Sequence, residues 1–290
     1  MTDAAAFRRA ALWMSGAIAS FSLMAIAGRA VSFELDTFEL MTYRSLIGIV
    51  LVVTVAGAMG KLRHVRAHRM GLHLVRNVFH FAGQNLWFYA ITVIPLAQVF
   101  ALEFTSPIWV ALAAPLVLSE RLTSTRILSA LVGFAGILIV ARPGATEIGP
   151  GQITAALAAI GFAGSALFTR RLTRTESIVS ILFWLTVMQA ILGLICGWFD
   201  GSFAWPSAVT WPWLALIGCA GLSAHLCLTT ALSLAPASVV MPIDFLRLPV
   251  IALVGMALYA EPVDPWVILG GIVIFGANWI NIRAASRNAG

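Results

Sequence analysis

Two stretches of the chain correspond at a constant offset of 141 residues: IPLAQVFALEFTSPIWVALAAPLVLSE at residues 94–120 and APASVVMPIDFLRLPVIALVGMALYAE at residues 235–261. In this register rare residues coincide without a gap: Pro95 with Pro236, Glu103 with Asp244, and Glu120 with Glu261. Apolar matches are common by chance in an apolar chain, but matches of prolines and charges are not. The chain therefore contains an internal repeat, which continues outward through Arg29 with Arg170 and Arg142 with Arg283.

The amino-acid composition of the chain indicates whether it is surrounded by water or by lipid. Hydrophobic residues make up 60% of the 290 residues and charged residues 10%, against about 45–50% and 25% in soluble proteins. The mean hydropathy is +0.95. A protein surrounded by water needs more charged side chains on its surface than this chain contains. The chain is therefore predicted to be an integral membrane protein whose main environment is the lipid bilayer. The net charge of +6 comes from short basic clusters between apolar runs, which does not indicate a nucleic-acid partner.

Ten apolar runs are long enough to be membrane helices, since crossing about 30 Å of hydrocarbon takes about 20 residues. They lack the period-two alternation of membrane strands. The sequence therefore predicts an all-α integral membrane protein with ten transmembrane helices, the first of which begins close to the N-terminus. The predicted spans are 11–32, 38–59, 71–93, 96–118, 124–141, 150–169, 178–199, 211–234, 238–260 and 264–282.

The repeat and the basic residues together predict the topology. Residues 1–142 and 143–290 each hold five spans, and an odd number of spans gives the two repeats opposite orientations. Inverted repeats are typical of transporters with a midplane site and alternating access. Thirteen of the 18 basic residues fall on the side of the N-terminus and only Arg29 and Arg142 on the other. By the positive-inside rule both termini are cytoplasmic, in a bacterial inner membrane.

The sequence resembles a known family in several motifs. Ile94-Pro-Leu-Ala-Gln-Val, Thr105-Ser-Pro-Ile-Trp, Leu118-Ser-Glu-Arg-Leu-Thr and Gly133-Phe-Ala-Gly-Ile-Leu-Ile-Val are similar to the drug/metabolite transporter superfamily, and more narrowly to EamA-type ten-span exporters. The second copy departs from the usual Thr-x-Pro, because it has Leu246-Arg-Leu-Pro. Among members, the chain is most similar to bacterial exporters of amino acids, aromatic ones in particular. The resemblance implies secondary or facilitated transport.

Four ionisable residues within the spans are predicted to form ion pairs, because an unpaired charge there costs about 2.5–3.5 kcal/mol. Arg44 and Glu103 lie at similar depth in spans two and four, which predicts a pair between these helices. Asp244 and Arg247 have the i,i+3 spacing of neighbours on one helix face. Both pairs are interpreted as structural, and a role in substrate binding is the alternative.

The candidate substrate contacts combine polar and aromatic side chains. Spans three and eight place polar groups along one face each, and the offset of 141 relates Gln84 to His225. Spans three and four supply an aromatic wall, which suits an amphipathic solute such as an aromatic amino acid. The alternative is that each residue only packs between helices, and a proton on a histidine is a further hypothesis. The predicted contacts are His80, Gln84, Trp87, Phe88, Phe100, Trp109, His225 and Thr229.

Prolines within spans four and nine are candidate hinges, because each removes a backbone hydrogen bond inside a helix. The alternative is that they produce fixed kinks. These prolines are Pro107, Pro115, Pro242 and Pro249.

The sequence thus predicts a transporter that exports amino acids and related small metabolites. The alternative within the same fold is a broad-specificity carrier of drugs and cations or of nucleotide-like metabolites. A polytopic membrane enzyme is a distant alternative, since HExxH, P-loop and GxSxG motifs are absent from the sequence. No cofactor or metal is predicted. The substrate, the direction of flux, the coupling ion and the oligomeric state stay open, and a monomer is compatible with the sequence.

Overall fold

The computed structural model describes residues 3–118, 124–142, 148–199, 201–235, 240–262 and 264–287. Glu120, Arg121 and Pro236, which the repeat and charge arguments use, lie outside these ranges. The described chain is helical. Its α-helices are α1 (Asp3–Val31), α2 (Thr37–Ala58), α3 (Met70–Val93), α4 (Leu96–Glu103), α5 (Ser106–Leu118), α6 (Ser124–Ala141), α7 (Pro150–Leu172), α8 (Ile178–Gly197), α9 (Trp211–Leu234), α10 (Arg247–Tyr259) and α11 (Pro265–Arg287), with 3-10 helices at Leu62–His64 and Met241–Leu246.

The helices of the described residues confirm the predicted ten-span architecture. Span four consists of α4 and α5, and span nine consists of the second 3-10 helix and α10. Six segments are long and apolar enough to cross a membrane by length and composition. Helix α3 is not among them although it has 24 residues, because six polar residues lower its mean hydropathy. These are His73, Arg76, Asn77, His80, Gln84 and Asn85.

The offset of 141 residues recurs in the helix boundaries. Both ends of α3 at 70 and 93 correspond to the ends of α9 at 211 and 234, and both ends of α5 at 106 and 118 correspond to those of α10 at 247 and 259. The starts of α2 and α8 and the ends of α1 and α7 follow the same offset. Capping residues and prolines determine helix ends locally, so a repeat in sequence becomes a repeat in structure.

The chain forms two compact units that cut across the repeats. The first unit contains Met1–Phe81 and Phe168–Leu234, and the second contains Ala82–Leu167 and Ala235–Gly290. In the first unit α1 packs on α9, and α2 packs on α8 and α9. In the second unit α6 packs on α11, and α4 packs on α10. Each unit therefore buries helices of one repeat against helices of the other.

The candidate hinge prolines have different positions in the helices. Pro107 and Pro249 lie in the first turns of α5 and α10, where the backbone N–H groups have no intrahelical partner and proline removes no hydrogen bond. Pro115 lies inside α5 and does remove one. Pro242 lies in the 3-10 helix before α10. The break in span four occurs at Phe104–Thr105, where the Thr105 hydroxyl donates to the Leu102 carbonyl at 2.8 Å.

Candidate functional site

A group of buried polar residues in the first unit lies where α2, α3, α8 and α9 meet. Two predicted contacts, His80 of α3 and His225 of α9, lie together here, with ring centroids 4.6 Å apart and ring planes nearly perpendicular. The ring of Phe21 from α1 contacts His225 edge-on at 5.6 Å. Both histidines are almost fully buried. Rings from both repeats therefore form one buried polar and aromatic group within this unit.

A hydrogen-bonded network on α3 lies one turn before His80. Arg76 is 2% exposed, and its guanidinium donates to the Thr169 hydroxyl at 3.1 Å and to Asn77 Oδ1 at 3.2 Å. The Gln189 amide of α8 donates to the Asn77 carbonyl oxygen at 2.9 Å and to Asn77 Oδ1 at 3.1 Å. All these acceptors are uncharged. The side chain of Arg76 therefore brings a positive charge into the unit that these contacts do not neutralise.

Arg44 of α2 lies beside the same residues. Its Nη1 donates to Met41 Sδ at 3.3 Å, and its guanidinium occupies space next to Gly221 of α9. A Cβ atom at position 221 would lie 2.6 Å from Arg44 Nε, which is closer than atoms can pack. Glycine at this position therefore allows α2 and α9 to approach with an arginine between them.

A small cavity lies within this group of residues. Its volume is about 20 Å³, and Arg44, Gln189 and His225 are among the residues that line it. That is enough for about one water molecule. Among the described residues, His225 Nε2 and Gln189 Oε1 have no hydrogen-bond partner. We call Arg44, Arg76, Asn77, His80, Gln189 and His225 the histidine cluster.

Sequence reasoning found part of this cluster and missed part of it. Thr229 is buried on α9 in the same unit. Gln84, one turn beyond His80, is also buried but belongs to the second unit. Asn77 and Gln189 were missed. The available signal was their polarity: Asn77 lies next to Arg76 on a helix with six buried polar side chains, and Gln189 is an amide within an otherwise strongly apolar span.

The second unit contains a buried cluster of three charged residues, which we call the Arg247 triad. Arg247 Nη2 donates to Asp244 Oδ2 and to Glu103 Oε1, each at 2.6 Å. The Asp244–Arg247 pair agrees with the i,i+3 expectation. Glu103 differs from expectation: its cationic partner is Arg247 and not Arg44. Periodicity alone could not foresee this, because α4 and α10 pack together in the second unit while Arg44 belongs to the first.

The predicted aromatic contacts of the second unit surround this triad. Trp87, Phe88 and Phe100 are at most 1% exposed. The Trp87 indole N–H donates to Glu103 Oε2 at 2.7 Å, and the Arg247 guanidinium lies 4.6 Å from the centre of the Phe100 ring. Trp109 is half-buried and its indole N–H donates to the Thr105 hydroxyl at 3.3 Å. Trp87 and Phe100 therefore contact the triad, Phe88 contacts Trp87, and Trp109 contacts Thr105 at the break of span four.

Comparison with known proteins supports a transporter. The model of the EamA-like transporter family matches residues 8–142 and again residues 149–283. A solved structure superimposes with a TM-score of 0.67 over 97% of this chain and 99% of that chain, at 18% identity. At that identity the superposition shows the fold alone. The two family matches fall on the two repeats found in the sequence.

Curated relatives carry several different names. A riboflavin transporter of Brucella anthropi is 35% identical over 77% of this chain and 80% of its own length. An S-adenosylmethionine uptake transporter of Rickettsia bellii is 23% identical over 95% and 94%, and a pseudopaline exporter of Pseudomonas aeruginosa is 28% identical over 88% and 89%. These names support small-molecule transport and do not support the narrower expectation of amino acid export. The chain belongs to the EamA-like transporter family of membrane proteins.

Proposed function

We propose that this protein carries a polar metabolite with a ring system across the bacterial inner membrane, and that riboflavin is its substrate. The observation that carries this proposal is the 35% identity with a riboflavin transporter over 230 residues. Two further relatives with that name, from Rhizobium johnstonii and Vibrio cholerae, are 31% and 26% identical. The direction of transport is not part of the proposal, because the relatives include both an uptake transporter and an exporter.

The histidine cluster suits such a solute chemically. Riboflavin is uncharged at neutral pH and combines a flat ring with a chain of hydroxyl groups. His80, His225 and Phe21 offer ring surfaces, and the amides of Asn77 and Gln189 offer donors and acceptors. The cavity of about 20 Å³ is far too small for a metabolite, so binding requires the cluster to open, as alternating access does.

A second candidate is an aromatic amino acid, which the sequence resemblance favours. The specific observation behind it is Arg76, a buried cation whose described hydrogen-bond partners are uncharged. A guanidinium of this kind matches the carboxylate of an amino acid. Riboflavin lacks such a group, so the two candidates differ in a property that can be measured.

Counterflow in proteoliposomes distinguishes the two candidates without assuming a direction. Vesicles loaded with unlabelled solute are diluted into labelled riboflavin, phenylalanine or S-adenosylmethionine. We expect saturable exchange of riboflavin. Exchange of phenylalanine without riboflavin would establish the second candidate in its place. Absence of exchange for all three solutes, from vesicles that contain folded protein, would contradict both.

A histidine variant tests the site. We expect His225→Ala to lower riboflavin exchange at subsaturating concentration about tenfold, since a lost hydrogen-bonding ring is worth about 1–2 kcal/mol. His73→Ala is the matched control. His73 is equally buried on α3, but its ring neighbour is Trp184, with a centroid distance of 6.5 Å. Equal exchange by both variants would remove His225 from the site.

A further inference from the structure

The Arg247 triad contains one more negative charge than positive charges. Glu103 and Asp244 share Arg247, and both reach the same nitrogen atom, Nη2, at 2.6 Å. Within the described part of the second unit, Arg247 is the only cation in ion-pair contact with either carboxylate. If both carboxylates are ionised, the triad has a net charge of −1 inside a helix bundle that is surrounded by lipid.

Among the side chains that the structure describes on the helices packed around the triad, none carries a compensating charge. Residues 106–118 of α5, 127–141 of α6 and 265–280 of α11 contain no titratable side chain, and α10 beyond Arg247 adds only Tyr259. The described part of α3 in this unit adds Tyr89, which is 41% exposed. A net charge of −1 at this depth is unfavourable, and a bound proton removes it without any other rearrangement.

The two carboxylates differ in how well their negative charge is stabilised. Glu103 accepts two hydrogen bonds, one from Arg247 and one from the indole N–H of Trp87. Asp244 accepts one, at Oδ2, and its Oδ1 is buried without a hydrogen-bond partner among the described residues. Hydrogen bonds to a carboxylate favour its ionised form. Asp244 is therefore the better proton acceptor of the two.

The two carboxylates of the triad lie where the helices of spans four and nine are interrupted. Glu103 is the last residue of α4, at the break within span four, and Asp244 lies in the 3-10 helix before α10. The two residues are equivalent in the repeat, 141 positions apart. In other transporter folds, interrupted helices near the middle of the membrane hold coupling ions.

We propose that the Arg247 triad is a proton-binding site and that the proton binds at Oδ1 of Asp244. The proton comes from water on one side of the membrane and is released to the other. Asp244 Oδ2 continues to accept from Arg247 in both states, and no other bond changes. The site couples transport to a proton gradient, in either direction.

Infrared difference spectroscopy tests this site without a substrate. Purified protein in lipid nanodiscs is moved between alkaline and acidic buffer, and the carbonyl stretch of a protonated, buried carboxylic acid is recorded. We expect this band in wild-type protein, at a lower frequency when aspartate is labelled with ¹³C. Absence of the band would overturn the proton site, and an unchanged frequency would overturn the assignment to Asp244.

Three variants examine the charge balance. Asp244→Asn and Glu103→Gln should each lose the band, because one remaining carboxylate is neutralised by Arg247 and stays ionised. Asp264→Asn is the matched control. Asp264 also pairs with an arginine, Arg142, at 2.6 Å, but both side chains are 30% exposed. Retention of the band in both Asp244→Asn and Glu103→Gln would overturn the proposal. If a variant does not fold, the spectra of the wild-type protein still test the proton site.

Transport measurements test the coupling. Labelled riboflavin is the probe, and two rates are measured for each variant: accumulation under an imposed pH gradient, and counterflow, which needs no gradient. The ratio of accumulation to counterflow reports the coupling. We expect the ratio to fall to background for Asp244→Asn and to remain at the wild-type value for Asp264→Asn. Equal ratios for wild type and Asp244→Asn would overturn coupling through this residue. Absence of riboflavin counterflow in wild type would contradict the proposed substrate, and the infrared result would still decide the proton site.

Discussion

Gly221 shows how one residue determines whether a charge fits between two membrane helices. Arg44 is 6% exposed, and its guanidinium lies where a side chain at position 221 would be: a Cβ there would be 2.6 Å from Nε and 2.9 Å from Nη2. Glycine is the only residue that leaves this space empty. Glycines in membrane helices usually allow two helix backbones to approach closely, whereas Gly221 makes room for the guanidinium of Arg44.

The first prediction concerns this glycine. Gly221→Ala should overpack the contact with Arg44 and destabilise the folded protein by about 1–3 kcal/mol. We expect a lower midpoint of thermal unfolding in detergent and slower riboflavin counterflow. Gly276→Ala is the control, because a Cβ at position 276 meets no atom within 4 Å. A Gly221→Ala protein that melts and exchanges like wild type would show that Arg44 has room to move aside.

At the scale of elements, the loop before α9 is fastened to the start of α2. Glu34 accepts hydrogen bonds from the Ser207 backbone N–H at 2.5 Å, from the Ser207 hydroxyl at 3.0 Å, and from the Thr210 hydroxyl. The Tyr43 hydroxyl donates to the Ala204 carbonyl at 2.7 Å. These bonds join the two repeats within the first unit and determine where α9, which carries His225, begins.

The second prediction follows from the charge of Glu34. Hydrogen bonds from Thr210 and then Ser207 lower the pKa of Glu34 below its ordinary value of 4.5. A carboxyl group with a lowered pKa in the folded state contributes stability that is complete above its unfolded pKa and is lost as the pH falls through the folded one. We therefore expect the loop to be protected at neutral pH and to loosen below the ordinary pKa of glutamate.

Hydrogen exchange measures this effect. Protection factors of amides in residues 201–210 should fall in the acidic range for wild type and should be low at every pH for Glu34→Gln. A peptide from residues 149–158, at the start of α7, serves as the internal control because it contains no titratable side chain. Unchanged protection of residues 201–210 across the acidic range would mean that the Glu34 carboxylate does not hold the loop.

For the whole molecule, the repeats and the compact units divide the chain differently. Each repeat is continuous in sequence, but each unit takes helices from both repeats. Neither repeat can bury its own helices fully, because α1 packs on α9 and α6 packs on α11. The compact units of the structure are therefore assembled from both repeats.

The third prediction concerns topology. In a cysteine-free background, Lys61→Cys should react with a membrane-impermeant thiol reagent only from the cytoplasmic side, and Gly201→Cys only from the outside. The reason is the asymmetry of basic residues, thirteen against two. A reporter fused to the C-terminus should be active only in the cytoplasm. Labelling of Lys61→Cys from outside intact cells would reverse the predicted orientation.

The sequence by itself determined the architecture of this protein. Apolar runs of membrane length predicted the ten spans, and the offset of 141 found in the sequence recurs in the helix boundaries, from Met70–Val93 to Trp211–Leu234. Both properties are local: hydrocarbon thickness sets the length of a span, and prolines, caps and charges near its ends set the boundaries. The equivalence of Glu103 and Asp244 was also visible in sequence, as was the Asp244–Arg247 spacing.

The tertiary structure alone decided which distant side chains meet. His80 and His225 are 145 positions apart and Glu103 and Arg247 are 144 apart, so neither contact follows from the offset of 141, which relates Gln84 to His225. Contacts between helices depend on how each helix is rotated and how closely it approaches its neighbour, and small residues such as Gly221 control that approach. Periodicity shows which face of a helix is polar, but packing determines which partner that face receives.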